Sequence, residues 1–166
     1  MTVLTILTAP NDKLIEQAKP VSDVSKIQVL IDDLIETMYD TDDGIGLAAT
    51  QVGRSEAVVV IDISENRDEP LVLVNPEIVH GEETAKGQEG CLSIPGYYAD
   101  VERFINVTVE ALDRNGKEIT VTSDDFLAIV MQHEIDHLKG KLFIDYLSPL
   151  KQQMALKKVK KTIKNG

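Results

Sequence analysis

The chain has one cysteine, so no disulfide can form within it, and Cys91 is left free for other chemistry in a reducing compartment. It has no apolar run approaching the length that crosses a bilayer. The opening Met1-Thr2-Val3-Leu4 lacks the basic start of a secretory signal, so the expected location is the cytoplasm, away from membranes. Basic residues are scarce: 17 Lys and Arg against 28 Asp and Glu give a net charge of −11. That balance argues against general nucleic-acid binding by the body of the protein. There is no internal repeat and no low-complexity linker. At 166 residues, with 43% hydrophobic and 27% charged content, the expectation is one globular domain spanning 1–166.

Histidine is also rare, yet two of the three sit in Gln132-His133-Glu134-Ile135-Asp136-His137-Leu138-Lys139-Gly140. On a helix, residues four apart lie one above the other on the same face. His133 and His137 can then each give one nitrogen to a single metal ion, and Glu134 can reach a water beside it. The helix is supported locally. Asp124 and Asp125 are N-cap candidates, Phe126, Leu127, Ile129, Val130 and Leu138 supply apolar positions, and Gly140 fits just past the end. A catalytic metal usually takes three protein ligands. After His137 there is no further histidine, cysteine or glutamate, and only one carboxylate, Asp145, so the third ligand should come from upstream. His80 is one option, in a polar run, His80-Gly81-Glu82-Glu83-Thr84, that reads as an exposed loop tip. Cys91 is the better one.

Along the chain, residues 1–24 read as a surface-lying lead-in, with Pro10 and Pro20 bracketing a short helical stretch. From Ser25 to Tyr39, Ile27, Leu30, Ile31, Leu34, Ile35 and Met38 recur at helical spacing and predict an amphipathic helix. It stops at Asp42-Asp43-Gly44, where the loop Gly44-Ile45-Gly46-Leu47-Ala48-Ala49-Thr50-Gln51 begins. A phosphate-binding glycine turn leaves a strand and opens a helix; this one leaves a helix and precedes a strand. Its small residues suit close approach of backbone to a peptide or metal site, or an ordinary tight turn. Strands are expected at Ala57–Ile63, Leu71–Asn75, around Ile78, Tyr98–Val101, Phe104–Leu112 and Lys117–Thr122. Asp113-Arg114-Asn115-Gly116 makes the last two a hairpin. Leu142–Leu147 could add an edge strand, and a terminal helix begins at Pro149. The fold class is α+β: mostly antiparallel strands around a central metal-ligand helix, with an N-terminal amphipathic helix and a C-terminal helix.

Between strands lies Gln88-Glu89-Gly90-Cys91-Leu92-Ser93-Ile94-Pro95-Gly96. A lone cysteine is commonly a small buried hydrophobe. Here Gly90 permits close backbone approach, and Glu89 is an acid that burial would have to pair. Arg103 is a candidate partner for Glu89 or Asp136, as support behind the ligands. Phe126, Ile129, Val130 and His133, at i, i+3, i+4 and i+7, share a face, so the ligand face continues into an apolar wall. Phe126 fits a core position equally well. Gly46 and Gly90 offer backbone to an extended peptide added as a strand.

Three stretches, Gly44–Gln51, Glu89–Ser93 and His133–His137, resemble the three signature motifs of the peptide deformylases in order and approximate spacing. The resemblance extends over essentially the whole chain, and the lysine-rich C-terminus is similar to the subgroup typical of Gram-negative bacteria. It implies a hydrolase that removes the formyl group from N-formylmethionyl nascent peptides and releases formate. It further implies that Cys91, His133 and His137 hold one metal ion, usually Fe(II), replaceable by nickel, cobalt or zinc. Glu134 is implied as the acid/base, with Gln51 and the backbone N–H of Leu92 facing the reacting carbonyl. Ile45 is implied to close the methionine pocket. This sequence departs from the family at Lys86-Gly87-Gln88, where relatives often carry a bulky apolar residue, and at Tyr97-Tyr98, where some carry an arginine.

Two rival readings share part of the pattern. A zinc peptidase with His-Glu-x-x-His should show a downstream ligand, and a structural metal domain should fill a fourth ligand position; neither feature is evident. The tail adds one expectation. Residues 151–166 hold six lysines and no acids. On a helix from Pro149, Lys157, Lys160, Lys161 and Lys164 share one face, with Leu156, Val159 and Ile163 on the other. The strip is either a solvated helix end favoured by the helix dipole or a contact for ribosomal RNA where nascent chains emerge.

Overall fold

A computed structural model of the chain describes residues 2–165; Met1 of the opening segment and Gly166 of the tail lie outside the described residues. One five-stranded sheet, antiparallel throughout, runs in sequence order: β1 (Gly46–Ala48), β2 (Val58–Ile61), β3 (Leu71–Cys91), β4 (Ile94–Leu112) and β5 (Glu118–Ser123). Among the described residues three α-helices accompany it: α1 (Gln28–Asp40), α2 (Phe126–Leu138) and α3 (Pro149–Asn165). The α+β class expected from the sequence holds.

Strand alternation decides which helix meets which face. Val58, Val60, Val72 and Val74 point to one side and pack with Ile27, Leu30, Ile31, Leu34 and Met38 of the α1 region. Val59, Ile61 and Leu73, one residue out of phase, point to the other side. There they meet Ala128, Met131, Ile135 and Leu138 of α2, together with Val107, Val109 and Ala111 of β4. The α1 register is the one its spacing predicts. A third cluster joins Ala155 and Val159 of α3 to Ile94, Val101, Leu142, Phe143 and Ile144. The β4–β5 hairpin turns where expected: Asp113 Oδ1 accepts from the backbone N–H groups of Asn115 and Lys117, and Gly116 sits at φ +80°.

Several expectations need correction. His80–Thr84 is not a loop tip but part of β3, with His80 opposite Thr108 and Thr84 opposite Phe104. Beyond the ends of β2 and β5, β3 and β4 continue as a two-stranded ribbon. On β3, Glu82–Gln88 are exposed at every position, so that stretch has no alternation to read, whereas β4 keeps Val101 and Arg103 buried on one side. Register shifts between Val74 and Glu77 and between Ile78 and His80 further break the period. The expected separate strands at Leu71–Asn75 and around Ile78, and at Tyr98–Val101 and Phe104–Leu112, are thus pieces of two long ones.

Leu142–Leu147 adds no edge strand. Phe143–Tyr146 is a 3-10 turn in which Asp145 Oδ2 accepts from Leu142 N–H. Leu142, Phe143 and Ile144 are buried in succession, which an alternating edge strand does not allow. Gly44–Gln51 is only partly loop, since Gly46–Ala48 pairs with β2 as an edge and Ala49–Val52 is a 3-10 turn. The lead-in is more than a surface strap. Its turn at Asp12–Ile15 does fall between the two prolines, but Leu14 is fully buried, and Ala18 N–H donates to Leu138 O at 2.8 Å.

Candidate metal centre

Three elements converge on one point. The N-terminus of α2 is set by Asp125, whose Oδ1 accepts from Leu127 N–H at 3.1 Å. Its exit is set by Gly140, at φ +76°, where a methyl group would lie 2.4 Å from Ile15 O. Between those stops His133 and His137 lie on one face, their rings edge to face with centroids 5.0 Å apart and Nε2 to Nε2 3.3 Å. The end of β3 brings Cys91 Sγ to 3.3 Å from His137 Nε2. One ligand atom from each of the three lies within 4.8 Å of the others. His80 is far from this cluster in role: exposed on the ribbon, its Nε2 pairs with Glu82 at 3.0 Å.

The donor set fits a divalent metal. Glu89 Oε1 lies 2.9 Å from His133 Nδ1, which leaves Nε2 turned toward Cys91 and His137. Glu134 Oε1 is buried with no hydrogen-bond partner among the described residues, as is His137 Nδ1. Burial pushes the Glu134 carboxyl up to about 7, with His133 opposing, Glu89 adding to the rise and Arg103 opposing. Burial, with His133 and Arg103 nearby, holds His137 well below the usual histidine value, in the neutral form a metal requires.

Behind the Cys91, His133 and His137 cluster lies a closed charge network. Arg103 donates from Nε to Glu89 Oε2 at 2.8 Å, from Nη2 to Glu89 Oε1 at 2.9 Å and from Nη1 to Asp136 Oδ2 at 2.6 Å. Both partners anticipated for Arg103 are therefore present at once. Burial alone would raise the Glu89 carboxyl, but the Arg103 and His133 bonds outweigh it and hold Glu89 below the usual range. Tyr146 O–H also donates to Asp136 Oδ2, at 2.7 Å.

A cleft of about 380 Å³ opens in front of this centre. Its walls include Ile45, Gly46, Gln51, Gly90, Cys91, Leu92, Phe126, Ile129, Val130, His133 and Glu134. Of the Cys91, His133 and His137 set, His137 alone is not among the walls; it sits behind at 1% exposure. Phe126 belongs to the rim rather than the core, since it is 55% exposed. Of the residues at which the sequence departs from the family pattern, Gln88 and Tyr98 line the cleft. Gly46 leaves room for Glu134: a methyl there would lie 2.6 Å from Oε2. Gln51 is held with its carbonyl oxygen accepting from Ala48 N–H at 2.9 Å, and its amide nitrogen donates to Ser93 Oγ at 3.1 Å.

Sequence reasoning missed Ser93 and Gln132. Ser93 N–H lies 3.4 Å from Cys91 Sγ, and Gln132 ties α2 to both backbone groups of Phe104 in β4. Gln132 stands beside the histidine pair, but an amide at that place carries no signal of its own until the neighbouring strand is known.

Known proteins share this architecture. The family model described as polypeptide deformylase matches residues 3–153. Peptide deformylase 1 of Vibrio vulnificus is 71% identical over 161 residues, covering 97% of this chain and 96% of its own. Peptide deformylase 2 of Vibrio cholerae is 68% identical over 165 residues, covering 99% and 98%. The crystal structure of a peptide deformylase from Legionella pneumophila superposes with a TM-score of 0.94 at 48% identity, covering 98% of this chain and 96% of that one. With that match over nearly its full length, and a Cys/His/His cluster able to hold a metal, the chain belongs to the polypeptide deformylases, metal-dependent hydrolases that remove the formyl group from the N-terminus of nascent peptides and release formate.

Proposed function

We propose that Cys91, His133 and His137 hold one divalent ion, Fe(II) by preference with zinc, nickel or cobalt as substitutes, and that α2 is the central metal-ligand helix of a single catalytic domain spanning 1–166. The observation that carries this reading is the convergence of three ligand atoms within 4.8 Å beside the partnerless carboxyl of Glu134. A thiolate with two imidazoles suits all four metals, and iron preference is what the family resemblance implies. The chemistry supplied by the ion, when bound, is Lewis acidity toward water and the formyl oxygen.

The chain's own groups do the rest. Glu134 takes one proton from the water that attacks the formyl carbon. When the C–N bond breaks, it returns that proton to the departing amine, leaving formate and a free N-terminus. Its position near neutrality and its free oxygen suit both transfers. The Gln51 amide and Leu92 N–H donate to the oxygen on which negative charge develops; one such donor is typically worth about 2.7–4 kcal/mol. Ala48 and Ser93 fix the orientation of the Gln51 amide, and the N–H that lies toward Cys91 Sγ at 3.5 Å is the one that turns to this oxygen. Ile45, Phe126, Ile129 and Val130 enclose the methionine side chain, and the backbone at Gly46 and Gly90 takes the peptide as an added strand.

The setting follows from the substrate. Formylated nascent chains emerge at ribosomes in the cytoplasm, and the exposed lysines of α3 contact ribosomal RNA there. The test is formate release by the metal-loaded protein from an N-formylmethionyl tripeptide. Stoichiometric formate with an intact peptide backbone is expected. Cleavage of an internal bond in an unformylated peptide, without formate, would overturn the reading in favour of a peptidase.

A further inference from the structure

The turn between α1 and β1 forms one rim of the cleft through Asp43, Gly44 and Ile45, and it has almost no ladder of its own. What grips it is Arg67, in the connection between β2 and β3. Arg67 Nη2 donates to the carbonyls of Met38 at 3.2 Å, Thr41 at 3.0 Å and Gly44 at 3.2 Å, while Nη1 donates to Asp42 O at 3.3 Å. One planar fork thus reaches four carbonyls that run from the last turn of α1 into the rim, the two Nη2 protons being shared among three of them. A helix cap alone would not need the bond to Gly44, which lies beyond the helix end at Asp40.

Arg67 is itself held. It sits at φ +54°, a left-handed conformation that a non-glycine side chain keeps only where its surroundings over-determine it. Its guanidinium lies 5.4 Å from the Tyr39 ring centroid, and Tyr39 O–H donates to Asp62. Asp62 also accepts from Glu69 N–H at 3.0 Å, and its own N–H donates to Ile45 O at 2.8 Å. Within the rim, Thr41 Oγ1 accepts from Gly44 N–H at 2.9 Å. The gripped turn abuts the opposite wall: a methyl group on Gly44 would lie 3.3 Å from Leu92 Cδ1.

We propose that Arg67 is a positioning residue for deformylation, fixing the Thr41–Gly46 rim so that the cleft keeps its width between Ile45 and Leu92. The inference rests on the cleft being the formyl-peptide site. Arg67 touches no reacting group, so its loss should loosen substrate docking and leave the chemical step intact.

The experiment compares Arg67→Gln and the gentler Arg67→Lys with wild type in the metal-loaded full chain. KM for a formylmethionyl tripeptide should rise about tenfold in Arg67→Gln, with kcat within about twofold and metal content unchanged. Amide hydrogen exchange at Asp42–Ile45 should quicken by about tenfold, because Gly44 N–H and its neighbours lose the ordered turn. Arg67→Lys should recover little of either, since an ammonium cannot bridge four carbonyls at once. Unchanged KM together with unchanged exchange in Arg67→Gln would overturn the proposal. So would loss of metal, or a fall in kcat at constant KM, which would tie Arg67 to the metal centre instead. Absence of formate release by wild type would count against the proposed function, and the exchange data would still decide whether Arg67 orders the rim.

Discussion

Helices α1 and α2 are each 13 residues long and cover opposite faces of one sheet, yet they bury different kinds of side chain. The buried set of α1 is Leu30, Ile31, Leu34 and Met38, with Thr37 the only polar member. That of α2 includes Gln132, His133, Glu134, Asp136 and His137. Burying polar groups costs several kcal/mol apiece unless they are paired, so α2 needs a partner for each, whereas on α1 Thr37 Oγ1 donates to Asp33 O and Glu36 Oε2 is buried without a partner among the described residues. Gln132 finds Phe104, His133 finds Glu89, and Asp136 finds Arg103 and Tyr146. The exceptions on α2, Glu134 Oε1 and His137 Nδ1, lie at the candidate metal centre. One helix supplies stability through area; the other holds chemistry through a network.

The sharpest way to break that contrast is at Glu134. Glu134→Gln should lower formate release by about 10²–10⁴-fold while metal content stays at wild-type level, because an amide cannot accept the proton. Loss of metal along with activity would make Glu134 a ligand instead of a base.

A paired substitution separates the two helices. Leu34→Ala should destabilise by about 2–5 kcal/mol through a cavity under α1. Arg103→Leu should cost about 3–5 kcal/mol by stranding Glu89 and Asp136 as buried charges. Both show in thermal or denaturant unfolding, but metal affinity divides them. It should fall about 10–100-fold in Arg103→Leu, where Glu89 no longer holds His133, and stay unchanged in Leu34→Ala. Equal metal affinity in the two variants would erase the distinction.

The same contrast explains what could be read from the sequence. The α1 region announces itself by apolar spacing from Ile27 to Met38, and α2 by His133-Glu134-x-x-His137, because both signals are local. Cys91 was recognisable only through its neighbours Glu89 and Gly90 and the absence of ligands after His137. The β3 half of the β3–β4 ribbon was not legible, since Glu82–Gln88 are exposed at every position and leave no pattern. Nor was Arg67, one charge in the polar run Ser64–Glu69, whose partners are backbone carbonyls that any sequence would supply. The tail was half legible: Val159 is buried as its spacing suggested, but Ile163 is 54% exposed, and Ala155, Val159 and the turn at Gly96 define the docked side.

The smallest expected effect concerns that tail. Because Ala155 and Val159 belong to the core, substitution is a cleaner probe than truncation. Replacing Lys157, Lys160, Lys161 and Lys164 together by Gln should leave turnover of a short formyl peptide unchanged. It should weaken ribosome binding by about tenfold at low salt, with the difference shrinking as salt screens it. Equal binding at low salt would make the lysines a solvated face.

The coordination shell of the zinc-loaded protein, measured by X-ray absorption, tests the centre itself. One sulfur at about 2.3 Å with two imidazole nitrogens at about 2.0–2.1 Å is predicted, and the sulfur should vanish in Cys91→Ser. A wild-type shell without sulfur, or an unchanged shell in Cys91→Ser, would contradict the assignment of Cys91, His133 and His137 as the metal's ligands.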